Sequence, residues 1–336
     1  MSEEVIVREQ GNAAQEDGVS KPSKKRTILS LSIISMTAIG LGLGAAFFFH
    51  SQLAGGVTTD YTKIDADKLA DDNTALLTAY SSVKKAGGDY VSAFSSKPYQ
   101  VANIAFQLFS AHEHCFAQGK GVGSAKLFGG SVNQNIRSTV IKDGDHYFEE
   151  SLSLSGVVNL ADRMYQENNM VVRHVGRVAS GDVEKPASLD EGTTYTIPNY
   201  QKAMGRDLSN PCIYIISSKT TYLDQTATSG KPTSFTKTAE GYSLELELKT
   251  KAVVNYVKQM QTISSLYSKP SFTYVHLSFT LDKELNPLTM TSHEFYHAST
   301  GPAVGSDVEG TLTTHYQTDG SYTIPELMTP ISYWTK

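Results

Sequence analysis

The sequence has few of the residues and motifs that mark thiol redox enzymes, serine hydrolases and disulfide-rich secreted domains. Its 336 residues include 2 cysteines and 1 tryptophan, and only 19% of them are charged. It contains no Cys-x-x-Cys and no Gly-x-Ser-x-Gly motif, which removes the usual local signatures of the first two classes. It also contains no Asn-x-Ser/Thr acceptor, so nothing points to a glycosylated surface.

The net charge argues against a nucleic-acid partner. It is −5, and the first 26 residues carry as many basic as acidic side chains, so the excess lies on the rest of the chain. A mildly acidic domain is a poor binder of polyanions. We also expect no cofactor, because the glycine-rich stretch Gly119-Lys-Gly-Val-Gly123 lacks the spacing of a phosphate-binding loop. That stretch is predicted to be a flexible hairpin loop.

One uncharged segment predicts a membrane anchor. Residues 27–49 contain no charged side chain, and at 1.5 Å per residue they would span about 34 Å, enough for a bilayer core. Lys24, Lys25 and Arg26 precede the segment directly, which places the N-terminus in the cytoplasm and the rest of the chain outside. The alternative is a cleaved signal peptide, whose apolar region is usually shorter.

The sequence therefore predicts a single-pass protein of a plasma membrane. The stretch Leu53–Gly56 resembles a bacterial lipobox without its cysteine, which favours a bacterial cell surface. Gly40 and Gly44 form a GxxxG pair, a possible face for a homodimer, although glycine is common in membrane helices generally. We expect four regions: a cytoplasmic tail (1–26), the transmembrane helix (27–49), a partly helical juxtamembrane stalk (50–97) and an extracytoplasmic domain (98–336).

The extracytoplasmic domain shows the patterns of an α+β fold. Alternation of apolar and polar residues over 242–249 predicts a strand with one dry and one wet face, which is typical of antiparallel sheets. Asp143-Gly144 between two alternating runs predicts a hairpin. Helical spacing predicts helices from Pro98 onward, around 157–166 and over 252–267. About eight to ten antiparallel strands packed on amphipathic helices give each layer an apolar partner.

The order of these elements resembles the LolA/LppX-like lipoprotein carriers. The stretches that carry the resemblance are 241–250, 252–267 and 272–296. The resemblance implies a half-barrel, in which a curved antiparallel sheet wraps around helices, with a hydrophobic cavity between them. The chain differs from those carriers because it has no lipidated cysteine and is predicted to stay anchored by a helix.

A binding module without enzymatic activity is the first functional hypothesis. It would hold a lipid or another apolar ligand between sheet and helices; a closed, dry core is the alternative for the same residues. A second hypothesis is a structural accessory subunit of a cell-envelope or secretion assembly that docks an envelope partner. The predicted ligand-lining residues are apolar side chains of the first helix and two strands: Phe106, Phe109, Leu244, Leu246, Val275, Leu277 and Phe279.

A third hypothesis is a zinc-dependent hydrolase. The metalloprotease motif HExxH is present as His293-Glu294-Phe295-Tyr296-His297. Zinc proteases carry that motif on a helix, whereas the surrounding residues here continue a strand pattern. On a strand the two histidines would lie about 13 Å apart and Glu294 would face the other way. Two ligands of one zinc ion cannot span that distance, so we expect sheet surface here and no metal site.

The two cysteines, Cys115 and Cys212, both follow the predicted membrane segment. If that side is oxidising, they could form a disulfide. The alternative is two buried free thiols.

Overall fold

The structure is a computed structural model that describes residues 72–127, 130–155, 159–177, 188–189, 193–204, 214–228, 233–257, 270–301 and 304–320. The predicted tail, transmembrane helix and GxxxG pair lie outside these residues, so they stay predictions. Within the described ranges, no helix has the length and apolar character that crossing a bilayer requires.

The described residues contain four α-helices, one short 3₁₀ helix and an α-helical turn at 254–257 that directly follows it. Asp72 caps the first of them, because its carboxylate accepts hydrogen bonds from the amides of Thr74 and Ala75. The third begins directly after Pro98, as predicted. The helices are α1 (Asn73–Lys85), α2 (Tyr90–Phe94), α3 (Tyr99–Ala111), α4 (Ile197–Met204) and the 3₁₀ helix (Thr250–Val253).

Twelve strands form one antiparallel sheet. The Asp143-Gly144 hairpin is confirmed, since His146 pairs with Asp143 and Gly144 has a positive φ of 58°. The strands are β1 (His114–Leu127), β2 (Gly130–Asp143), β3 (His146–Ser155), β4 (Asn159–Glu167), β5 (Met170–Arg177), β6 (Ser188–Leu189), β7 (Thr193–Thr196), β8 (Ser234–Lys237), β9 (Tyr242–Leu248), β10 (Ser271–Leu281), β11 (Pro287–Gly301) and β12 (Val304–Gln317).

The sheet consists of two meanders joined in the middle. The strand order is β6-β5-β4-β3-β2-β1-β12-β11-β10-β9-β8, and β7 also pairs with β5. The chain starts at the centre in β1, runs outward to one edge, crosses to the opposite edge at β8, and returns to pair β12 with β1. The sheet is curved and does not close, and the described helices are few. The sheet therefore agrees with the predicted half-barrel.

The close approach of β12 to β1 depends on two glycines of β1. A Cβ atom added to Gly121 would lie 2.0 Å from the backbone oxygen of Thr311, and one added to Gly119 would lie 2.9 Å from Thr314 Oγ1. Real Cβ atoms do not come that close, so the two meanders can meet here only without side chains on β1. The predicted flexible loop at 119–123 is therefore wrong: these residues form the middle of a central strand.

The main core lies between helices α1–α3 and one face of the sheet, here called the inner face; the opposite face is the outer face. Phe106 contacts Phe279 with ring centroids 5.5 Å apart, and Phe109 contacts Tyr316 at 5.0 Å. Leucines at alternate positions of β9 and β10 complete this core, and their alternation confirms the pattern predicted for 242–249. The core also contains Leu76, Tyr80, Tyr90 and Phe94, so the folded unit includes residues that the sequence assigned to the stalk.

The other half of the sheet buries charged side chains as well as apolar ones. On β3, Glu150 lies between two arginines: Arg137 Nη2 donates to its Oε1 at 3.1 Å, and Arg163 Nε donates to its Oε2 at 2.5 Å. A smaller core contains Met164, Val171 and Tyr200. Charged groups at these positions are compatible with burial because each has a partner of opposite charge.

The structure corrects the helix predicted at 157–166, where β4 pairs with both β3 and β5. Leu160 and Met164 are four residues apart, and that spacing puts two side chains on one side of a helix and of a strand alike. In the described residues 214–228, only Thr221 pairs with a strand, through an isolated bridge to Leu248. The predicted helix 252–267 begins as the 3₁₀ helix at Thr250, and residues 258–269 lie outside the description.

We predict that Gly121→Ala lowers the free energy of unfolding by about 3 kcal/mol or more, because the new methyl group meets backbone rather than a mobile side chain. Urea denaturation of the detergent-solubilised chain, followed by circular dichroism, measures the effect. Lys120→Ala is the matched control, since Lys120 is the exposed neighbour on the same strand. Equal midpoints for the two variants would show that the close approach of β12 does not restrict position 121.

Candidate functional site

The structure brings the seven predicted ligand-lining residues together on the inner face. Phe106 and Phe109 extend from α3 toward β10 and β12, and the other five alternate along β9 and β10. Each belongs to the main core, and none is more than 6% exposed. In the described part of the chain these side chains pack on one another, so whether a ligand enters between them stays a prediction.

A row of polar side chains, here called the polar row, borders this apolar surface. It consists of Ser138 on β2, Thr314 on β12, and Ser292 and Glu294 on β11, all of them at most 1% exposed. The strand register places them on the inner face: Thr314 lies opposite Gly119 and Met290, and Ser138 lies opposite Gly119 on the other side. Ser138 and Thr314 thus flank Gly119 where the two meanders join, and Ser292 and Glu294 follow at the next two inner positions along β11.

Three hydroxyl groups of the polar row lack a hydrogen-bond partner among the described residues. They are Ser138 Oγ, Ser292 Oγ and Thr314 Oγ1. Two of them converge, because the position of a Cβ atom on Gly119 would be 2.6 Å from Ser138 Oγ and 2.9 Å from Thr314 Oγ1. A buried hydroxyl without a partner costs about 1–3 kcal/mol. Three in one row are therefore a marked departure from an ordinary apolar core.

Glu294 is the ionisable member of the polar row. Its Oε1 accepts a hydrogen bond from the Tyr214 hydroxyl, and Tyr256 stacks edge-on against Tyr214 with centroids 5.8 Å apart. Burial, followed by the charge of Glu294, raises the pKa of Tyr256 and Tyr296 well above the usual tyrosine value. Both phenols therefore keep their protons beside the carboxylate.

The alternation of residues along β11 contains a signal for the polar row. In β11 the inner positions are Met290, Ser292, Glu294, Tyr296 and Ala298, so two polar residues interrupt an otherwise apolar alternation. A polar residue at a core position predicts either a satisfied network or a functional site.

The structure separates the residues of the HExxH motif. The motif lies in β11, as the strand pattern predicted, so His293 and His297 are on the outer face and Glu294 is on the inner face. His293 Nε2 is 2.9 Å from Glu309 Oε1, and His297 Nδ1 is 2.9 Å from Asp307 Oδ1. Within the described ranges, no cluster of three metal-ligating side chains occurs.

Cys115 is a buried free thiol in the structure. Its Sγ donates to the carbonyl oxygen of Phe109 at 3.0 Å, and burial raises its pKa to about 11. A thiol with so high a pKa is a poor nucleophile at neutral pH. Cys212 lies outside the described residues, so the disulfide stays a prediction.

No family model and no curated protein matches the sequence. Nine solved chains are similar to this one, and they include the following three. A DUF1329 family protein from Desulfovibrio piger has a TM-score of 0.26 and 10% identity, covering 71% of this chain and 98% of that one. The ywiB protein from Bacillus subtilis has a TM-score of 0.19 and 8% identity, covering 63% and 99%. A putative outer membrane lipoprotein-sorting protein domain from Vibrio parahaemolyticus has a TM-score of 0.25 and 9% identity, covering 72% and 99%.

The lipoprotein-sorting domain among these structures agrees with the resemblance that the sequence patterns indicate. TM-scores this low carry no argument about function.

We predict that Tyr214→Phe destabilises the domain by about 1–3 kcal/mol, because the buried Glu294 carboxylate loses a hydrogen-bond donor. Thermal unfolding of the detergent-solubilised chain measures the loss. Tyr222→Phe is the control: that ring lies under Lys249 Nζ at 4.9 Å and is only half-buried. If both variants unfold at the wild-type temperature, the hydrogen bond to Glu294 contributes nothing to folding.

Proposed function

We propose that this chain is a membrane-tethered binding module that holds an amphiphilic, lipid-like ligand against the inner face of its half-barrel. The predicted span at 27–49 would keep the domain at the outer surface of the membrane. The module would act by binding alone, without a chemical step.

The three hydroxyl groups of the polar row carry this proposal. In a dry core their burial would lower the stability of the fold, and no hydrogen bond would compensate for it. A ligand with ester, amide or hydroxyl oxygens could accept hydrogen bonds from Ser138, Ser292 and Thr314 and so offset that cost. The row would then determine where the polar end of the ligand lies.

The apolar residues beside the row would contact the rest of such a ligand. Leu277 and Leu246 continue the cross-strand row of Ser292, and Met290 and Phe279 continue that of Thr314. A chain running from the hydroxyl groups toward β9 would therefore meet apolar surface. Burying that chain would contribute about 25 cal/mol for each Å² of apolar surface removed from water. Mostly apolar walls with a few polar groups are typical of small-molecule sites.

The groups in the polar row support binding without a chemical step. Glu294 is its one ionisable side chain, and the described partner of its Oε1 is the Tyr214 hydroxyl. A general base needs to reach a proton on a nucleophile or a substrate. Here the carboxylate instead accepts from a structural tyrosine, which suits a group that orients a ligand.

We predict that the variant S138A/S292A/T314V retains several-fold less amphiphile than the wild type. The full chain, extracted from membranes in detergent, would be analysed by native mass spectrometry and by mass spectrometry of its organic extract. All three substitutions keep or reduce side-chain volume, so the fold is preserved. Thr289→Val on the outer face of β11 is the control and retains the wild-type amount.

Two results would overturn the proposal. One is a wild-type chain that carries no amphiphile, together with a triple variant that is more stable than the wild type. A dry core would give this result, because removing unpaired buried hydroxyls stabilises it. The other is equal retention by the triple variant and Thr289→Val. A ligand-free chain that co-purifies with an envelope protein would favour the structural accessory subunit.

A further inference from the structure

The outer face carries a cleft of about 700 Å³ where β1, β2 and β12 run side by side. It lies on the opposite side of the sheet from the polar row, and its size is within the range of small-molecule sites. On the outer face its lining presents two side-chain amides, two hydroxyls, one carboxylate and two apolar side chains: Asn133, Asn135, Ser124, Thr311, Glu309, Val122 and Leu154.

Two cross-strand rows build the floor of the cleft. In the first row, Val122 on β1 lies between Thr311 on β12 and Asn135 on β2. In the second, Ser124 lies between Glu309 and Asn133. Neighbouring strands are about 4.8 Å apart, so each row presents its outer groups roughly 10 Å from one another. The cleft is thus a regular array of polar groups on rigid strands.

The polar groups of this array are mostly neutral and both donate and accept hydrogen bonds. Asn133 and Asn135 are exposed and each offers an NH₂ donor and a carbonyl acceptor, and the hydroxyls of Ser124 and Thr311 do both as well. A ligand that satisfies such a set must also donate and accept at several neighbouring positions. Alcohol groups have that property.

Other ligand classes fit the cleft poorly. The lining contains the carboxylate of Glu309 and, among the described residues, no cationic side chain, so a phosphate or carboxylate ligand would meet repulsion. A wholly apolar ligand would remove five polar side chains from water without replacing their hydrogen bonds. A peptide edge is disfavoured because β1, β2 and β12 are interior strands whose ladders are already paired.

Val122 provides an apolar contact in the middle of the array. Its side chain is 60% exposed, one of the few large apolar side chains that are exposed in the described part of the chain. An exposed valine flanked by an amide and a hydroxyl suits a ligand with C–H groups on one face and hydroxyl groups around its rim. A sugar ring has this arrangement.

Glu309 is held in place at one side of the cleft. His293 Nε2 lies 2.9 Å from its Oε1, and the Tyr274 hydroxyl donates to the same oxygen at 3.2 Å. Burial, followed by the Glu309 charge, raises the pKa of Tyr274 to about 12, so this phenol remains a donor. Neither contact engages Oε2. A fixed carboxylate with one oxygen left for the ligand is a strong acceptor for a sugar hydroxyl.

We propose that this outer cleft is a binding site for a neutral saccharide. The amides of Asn133 and Asn135 and the carboxylate of Glu309 would hydrogen-bond its hydroxyl groups, and Val122 would contact its C–H face. This site is independent of the amphiphile site, because the two use opposite faces of the same strands.

The test uses the full chain in detergent micelles on an array of neutral oligosaccharides of glucose, galactose, mannose and N-acetylglucosamine, with titration calorimetry of any oligosaccharide that binds. We expect binding by the wild type and at least about tenfold weaker binding by N133A/N135A, with Glu309→Gln weakened to a lesser degree. T236A/T280A, which changes two exposed hydroxyls on other strands, should bind as the wild type does.

Three outcomes would overturn the saccharide site: no binding by the wild type to any neutral oligosaccharide, equal binding by N133A/N135A and T236A/T280A, or inorganic phosphate displacing the bound oligosaccharide. Amphiphile content measured on the same preparations separates the two proposals. N133A/N135A should keep its amphiphile while losing its saccharide, and S138A/S292A/T314V should do the reverse.

Discussion

The contact between the backbones of β1 and β12 is the constraint on which the rest of the structure depends. It joins two meanders that are otherwise separate, and at Gly121 it leaves no room for even a methyl group. Side chains from both meanders are buried together against helices α1–α3. The polar row and the outer cleft both lie on these central strands, one on each face.

This arrangement explains why the polar row lowers stability and why we connect it to a ligand. Ser138 and Thr314 belong to different meanders and meet only because Gly119 between them has no side chain. Their hydroxyl groups therefore become buried as a consequence of the same close approach that closes the core. A chain under no functional constraint would gain stability by replacing them with alanine and valine, which is why we connect the row to a ligand.

The sequence predicted the parts of the fold that depend on local alternation. Strand β9 and the Asp143-Gly144 hairpin follow from period-two patterns and turn chemistry. The sequence did not predict the parts of the fold that depend on long-range contacts. The glycines of 119–123 indicate a loop by local rules, yet they are required by a strand nearly two hundred residues away. The seven apolar ligand-lining residues of the site were predicted from spacing. The polar row could be predicted only from the register between the two meanders.

Strand geometry also accounts for the fate of the most specific motif in the sequence. In a helix His293, Glu294 and His297 would converge on one metal ion, whereas in β11 neighbouring residues face opposite sides of the sheet. Glu294 consequently belongs to the buried row with Tyr214, and His293 orients Glu309 at the outer cleft. The same pair of adjacent residues thus serves two separate surfaces. A substitution at His293 should disturb the outer face and leave the inner one intact, because the strand itself, fixed by β10 and β12 on either side, insulates one face from the other.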